Sequence, residues 1–230
     1  MAPMPTRYRV RAALLSAVIV LLAGCGGSDG DSTSTPTSTA ATTTTATAET
    51  PALGAAVDSI AALPGALKSA PPWPANNGAQ LQLRLRALGL QALSEEGQVL
   101  QIHQHLDVFV DGKKATVPAN LGIDAGGGFI SDLHTHDTSG IMHVESPTRR
   151  DFTLGQFFAV WGLPLSADCI GSLCEKGART LRVWVNGDEV SADPTRVVLA
   201  EHQEIVIAYG TAAQVPDPLP TSFDFAAVGL

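Results

Sequence analysis

Basic residues are scarce in this 230-residue chain: 14 Lys and Arg stand against 22 Asp and Glu, a formal net charge of −8 at pH 7. Binding to nucleic-acid phosphates relies on clustered cations that displace counterions, and no such cluster occurs, which excludes a nucleic-acid binder. Methionine is nearly missing. Beyond residue 24 only Met142 remains, which argues against a methionine-lined carrier of copper(I). No G-x-S-x-G elbow surrounds Ser139, so the nucleophile pattern of serine hydrolases is absent. The N-terminal apolar run, Ala12 to Ala23, has twelve residues. That is short of the roughly 20 that cross a bilayer as a helix.

Such a run suits the core of a secretory signal, and Arg7, Arg9 and Arg11 before it form the basic flank. It ends in Leu22-Ala23-Gly24-Cys25, which resembles the lipobox of bacterial lipoproteins. The resemblance implies cleavage after residue 24 and acylation of Cys25. Acyl chains then tether the protein to a membrane without a spanning helix. The expected location is the bacterial cell envelope, outside the cytoplasm, with the membrane reached through the N-terminal lipid. Ser28 to Thr50 is almost wholly Ser, Thr, Ala, Gly and Pro, with no aromatic or large aliphatic residue. It cannot bury enough apolar surface to offset its ordering entropy. We therefore read residues 25–74 as a disordered tether, 75–216 as one globular domain and 217–230 as a C-terminal tail. Without residues 1–24, 11 basic residues face 22 acidic ones.

Cys169 and Cys174 remain for the domain, in "DCIGSLCEKG". Outside the cytoplasm so close a pair forms a small disulfide staple; the C-x4-C spacing departs from the C-x-x-C of redox centres. "VFVDGKKATV" and "VWVNGDEV" each place Asp-Gly or Asn-Gly between β-branched runs, which predicts two hairpins. Between them Thr153 and Gln156 form a capping box, Phe152 and Phe157 fit a hydrophobic staple, and Gly162 supplies the stop. "AQLQLRLRAL" is read as a helix capped by Asn76 or Asn77. "IMHVES" and "EIVIAYG" read as strands. Hairpins, strands and one central helix predict an α+β domain with a small mixed or antiparallel sheet and one packed helix, in a β-grasp-like order. A β-sandwich is the alternative.

Five of the six histidines fall in two short stretches, "QIHQHLDV" and "DLHTHDTSGIMHVES". As a strand, Gln101–Val110 puts His103, His105 and Asp107 on one face, opposite Ile102, Leu106 and Val108. His134 and His136 repeat the i, i+2 spacing beside Asp137, and His143 and Glu145 share a face of the next strand. Imidazoles so placed converge on an ion about 2.0–2.1 Å from each nitrogen. The expected ligands of one transition-metal ion, copper or zinc, are His103, His105, His134, His136 and His143. Asp107, Asp137 and Glu145 serve as weaker ligands or as acceptors that orient the rings. The bland alternative is a set of solvated or hydrogen-bonded polar residues. His202 reads as a turn residue, able to join only if the last strand lies alongside.

Three families are resembled. "DLHTHDTSG" is similar to the opening motif of PHP-type metal-dependent phosphoesterases, but it sits mid-domain and too few later ligands follow. "GQVLQIHQH" matches the start of the first cupin motif without its glutamate. The combination "EEGQVLQIHQHLDVFVDG", "VPANLGID", "LHTHDTSGIMHVESP" and "FTLGQFFAVWG" resembles an uncharacterised family of exported bacterial His-rich domains, over most of residues 74–161. Its first cluster follows H-I-H-x-H-L-D, with Gln101 at the leading position here. That resemblance implies a shared site and no particular reaction. The expected function is an envelope metal-binding domain. The alternatives are a metal-dependent enzyme (a cupin-like oxygenase or a hydrolase with Glu145 or Asp137 as base) and a metal-free module that binds a partner.

Overall fold

The computed structural model describes residues 52–230. The expected signal segment, Cys25 and the Ser/Thr-rich tract lie outside the described residues. Along the chain come α1 (Ala79–Leu88), β1 (Ala92–Leu93), β2 (Leu100–Val110), β3 (Lys113–Ala115), β4 (Ile123–Asp124), β5 (Phe129–Ser131), β6 (Leu133–His134) and β7 (Ile141–Ser146). Then follow α2 (Leu154–Trp161), β8 (Cys169–Ile170), β9 (Leu173–Cys174), β10 (Thr180–Val185), β11 (Asp188–Glu189) and β12 (Gln203–Gly210). The fold is α+β.

The main sheet runs β11-β10-β12-β2-β7-β6, with β3 also paired to β2. Its two central strands, β2 and β12, are parallel; the other pairings are antiparallel. A hairpin on either side of a helix, with the first and last long strands parallel in the middle, is the grasp-like order expected from sequence. Both turns form as their Asp-Gly and Asn-Gly pairs require: Asp111 and Gly112 have φ of 50° and 77°, Asn186 and Gly187 of 52° and 91°. Such angles suit two-residue hairpins because they match the strand twist. Among the described residues α2, rather than a second large sheet, shares the core with this one, so the sandwich alternative does not describe the molecule.

One face of the sheet forms the core. Leu106, Val108, Met142, Val144, Ile205 and Ile207 pack in one cluster with Phe157, Phe158 and Trp161 of α2. The α2 start is the predicted capping box: Gln156 N–H donates to Thr153 Oγ1 at 3.3 Å, and Thr153 N–H donates to Gln156 Oε1 at 3.0 Å. Its end is closed by Gly162 in the left-handed region, and Leu163 N–H donates to Phe158 O. Arg84 of α1 reinforces that end. Its guanidinium is fully buried and donates to Val160 O, Pro64 O and Asn76 O. Burial pushes its pKa down to about 10.

Three expectations shift. The α1 N-cap is Gly78, with no side-chain cap. Asn76 and Asn77 instead hold neighbouring loops, through Gly65 O and Asn120 O. The compact part does not begin at residue 75, since Ile60 and Trp73 are 2% and 3% exposed and Leu53 bridges to Val197. Nor is 217–230 a free tail: Phe225 is buried and Phe223 stacks on His105 at 4.1 Å. In the last two cases an apolar side chain in a Pro- or Ser-rich stretch finds a hydrophobic seat on the domain. Cys169 and Cys174 face each other across the β8–β9 ribbon with sulfurs 2.09 Å apart. A disulfide pair of this kind persists in oxidising compartments outside the cytoplasm. Among the described residues no helix is long and apolar enough to cross a membrane.

Candidate metal centre

Opposite the α2 core, the sheet presents a row of histidines. Sheet register creates it: His134 of β6 pairs with His143 of β7, and His143 pairs with His103 of β2. Directly paired residues have Cβ atoms about 4.5–5.5 Å apart on one face. The rings follow suit, with centroids 5.2 Å apart for His134–His143 and 4.8 Å for His143–His103. Just past β6 the chain folds back, so that His136 joins from the side, 4.8 Å from His134 and 4.5 Å from His143.

His134, His136, His143 and Glu145 offer ligand atoms that all lie within 4.8 Å of one another. The shortest separations are telling. His134 Nε2 and His136 Nε2 are 3.3 Å apart, and His143 Nδ1 and Glu145 Oε1 are 3.2 Å apart. Two donors bound about 2.0–2.1 Å from one zinc ion stand about 3.3 Å apart at tetrahedral angles. The tautomer of His134 is set from behind, because its Nδ1 donates to Ser131 O at 3.0 Å. Its Nε2 lone pair therefore faces the other donors. Backbone carbonyls commonly orient metal-binding imidazoles in this way.

Electrostatics keep His134 and Glu145 in binding form. His134 is fully buried, and burial pushes its pKa down to about 4; the charges of His143 and His136 act in the same direction, against Glu145. His103 is lowered as well, by burial and then by His143, with Glu201 and Glu145 opposing. Burial alone would raise Glu145, but the hydrogen bond with His143 and the nearby His134 and His143 hold its carboxyl below the usual value. A metal needs neutral imidazoles and ionised carboxylates. Glu145 is 6% exposed, and its Oε2 is buried with no hydrogen-bond partner among the described residues. An unpaired buried carboxylate oxygen is costly, and a cation among these donors removes that cost.

The five-histidine centre expected from sequence is therefore not one constellation. His103 stands at the end of the row, edge-on to His143, with Nδ1 3.7 Å from Glu201. His105 shares its strand face but belongs to the next row, where its neighbours are Ile141 and Glu204. Both of its ring nitrogens are engaged: Nδ1 with Glu204 Oε2 at 2.7 Å and Nε2 with Ser139 O at 3.0 Å, under the Phe223 ring. Asp107 sits beside it, paired with Lys114 at 2.6 Å. His105, Asp107 and Glu204 thus form a second buried group of possible donors. The Lys114 ion pair and the engaged ring set it apart from the first group, although among the described residues Glu204 Oε1 and Asp107 Oδ1 are, like Glu145 Oε2, buried without a hydrogen-bond partner. Burial raises Glu204, with His105 countering.

Asp137 is exposed and accepts from Ser139 N–H at 2.8 Å, which holds the turn; hydrogen bonding by the Ser139 side chain, and then by its backbone, lowers the Asp137 pKa. It helps shape the chain between His136 and β7. His202 stacks on Phe225 and contacts Glu201. Sequence reasoning missed Glu204 and Glu96. Glu204 could have been found only from the β2–β12 register, and Glu96 lies in a loop without periodicity. Its Oε1 is 3.3 Å from His136 Nε2. Comparison with protein-family models, with curated proteins and with solved structures finds no match to this chain.

Proposed function

We propose that this protein is a metal-binding domain of the bacterial cell envelope, holding one divalent transition-metal ion through His134, His136, His143 and Glu145. The observation that supports the reading best is the convergence of three imidazoles on a buried carboxylate, one oxygen of which has no hydrogen-bond partner among the described residues. Three nitrogens and one oxygen, with no sulfur, suit zinc or copper(II) rather than copper(I). His103 lines the edge of the centre. His105 and Asp107 support the sheet beside it. The Cys25 lipid and the exported location belong to the same proposal, supported by the lipobox-like segment and by the Cys169–Cys174 pair.

The test is elemental analysis of the full chain, purified in detergent without chelator or His-tag. Near one equivalent of zinc or copper, lost in a His134→Ala/His143→Ala variant, is the expected result. Less than about a tenth of an equivalent, even after incubation with each ion and desalting, sinks the reading. For the anchor, labelling with a radioactive fatty acid is expected in the native chain and absent in Cys25→Ala.

A further inference from the structure

The donors are not equally accessible. His134 and Glu145 are buried, whereas the side chains of His136 and Glu96 remain 45% and 42% exposed. An ion arriving from solvent meets those two first. Glu96 stands outside the mutual group of four donors. Even so, its Oε1 is 3.3 Å from His136 Nε2.

Its position is built rather than incidental. Gly97, the next residue, is buried, and its backbone lies directly on Ser146, the neighbour of Glu145. A Cβ added there would fall 2.2–2.5 Å from Ser146 backbone atoms. Only glycine allows that approach. Val99 N–H then donates to Ser146 O at 3.1 Å. The loop is pinned to the end of β7, which sets the Glu96 carboxylate at the mouth of the centre. Glu95 and Glu96 also edge an open groove of about 370 Å³ with Ile123, Phe129 and Ile130 on its other walls.

Resting on the metal reading above, we propose that Glu96 is the capture ligand of the centre. With His136 it takes a divalent cation from solvent and passes it inward to His134, His143 and Glu145. By the reverse path it yields the ion to a competing donor. A hydrated cation sheds its waters one at a time, and an exposed anionic oxygen replaces the first of them before any buried imidazole can be reached. The structure favours such stepwise exchange because the outer pair is solvated and the inner donors are not.

Zinc ion itself is the probe. Its association with the metal-free full chain is followed by stopped flow, and its loss is followed in excess chromophoric chelator. Native protein, Glu96→Gln and Glu95→Gln are compared. All three are expected to hold about one equivalent of zinc. In Glu96→Gln both rates fall together, each about fivefold or more, so that affinity changes less than either rate. In Glu95→Gln, which removes the same charge without the contact, association changes less than about twofold at about 0.15 M salt. A faster dissociation with unchanged association makes Glu96 a fixed ligand and overturns the proposal. Rates equal to native, or an equal slowing in Glu95→Gln, overturn it too. Absence of zinc from the native protein overturns the metal reading as well, and the stoichiometry alone separates that failure from the others.

Discussion

Metal-free protein should lose stability as the pH falls below neutrality, and one side chain accounts for much of the loss. His134 is fully buried, and its pKa in the fold is about 4 against an ordinary 6.5. Above pH 6.5 it is neutral whether the chain is folded or not, and its contribution is flat. Between pH 6.5 and about 4 the unfolded chain binds a proton that the folded one refuses, so stability falls with pH. The slope approaches about 1.4 kcal/mol per pH unit, and the total reaches about 3 kcal/mol near pH 4. Below that both states are protonated and the loss stops growing. The assay is urea denaturation in a chelating buffer at intervals from pH 7.5 to 4.5, on native protein and His134→Asn. The variant should show a shallower dependence by nearly one proton. In saturating zinc the native slope should steepen, because three imidazoles then compete with protons for the ion. Superimposable slopes for native and variant protein in chelator would refute the reasoning, since His134 would not then be a buried neutral base.

Arg84→Met keeps most of the side-chain volume but leaves Val160 O, Pro64 O and Asn76 O without their donor; about 2–3 kcal/mol of stability should be lost in urea titration. Thr153→Ala removes the α2 cap and should cost about 1 kcal/mol, with zinc stoichiometry unchanged. His143→Ala should abolish stoichiometric zinc binding, measured by elemental analysis. By contrast His105→Ala should keep the zinc and lose about 3 kcal/mol or more of stability, since Glu204 is then buried without its partner.

Much of the fold was legible because local chemistry specified it. The two hairpin turns depend on residues that tolerate positive φ, and Asp111-Gly112 and Asn186-Gly187 announce them whatever packs nearby. The capping box of α2 is likewise a matter of four consecutive residues. Where the reading faltered, the deciding contacts were distant in sequence. Asn76 and Asn77 have the right chemistry for a helix cap, yet loops around Gly65 and Asn120 claim their side chains. Ile60, Trp73, Phe223 and Phe225 lie in segments whose composition reads as tether or tail. Each is a large apolar residue, and one such residue suffices to seat a short segment if the domain offers a place for it.

The site shows the same division more sharply. Strand alternation correctly put His103, His105 and Asp107 on one face, but a shared face is not a shared ion. Residues two apart on a strand are separated by about 6.6 Å along it, which places them in successive rows across the sheet. Which row receives which neighbours depends on register. The β2–β7 register aligns His103 with His143 and leaves His105 opposite Ile141; the β2–β12 register then gives His105 its carboxylate, Glu204. Two histidines of one H-x-H motif thereby part company, one to the edge of a candidate metal centre and the other to a separate buried polar group. The second motif behaves differently because only His134 is in a strand. His136 lies past the end of β6, where the chain is free to turn back, and its Nε2 comes within 3.3 Å of its partner's. An H-x-H pair thus converges at a strand end and diverges within a strand, and a sequence without register information does not distinguish the two.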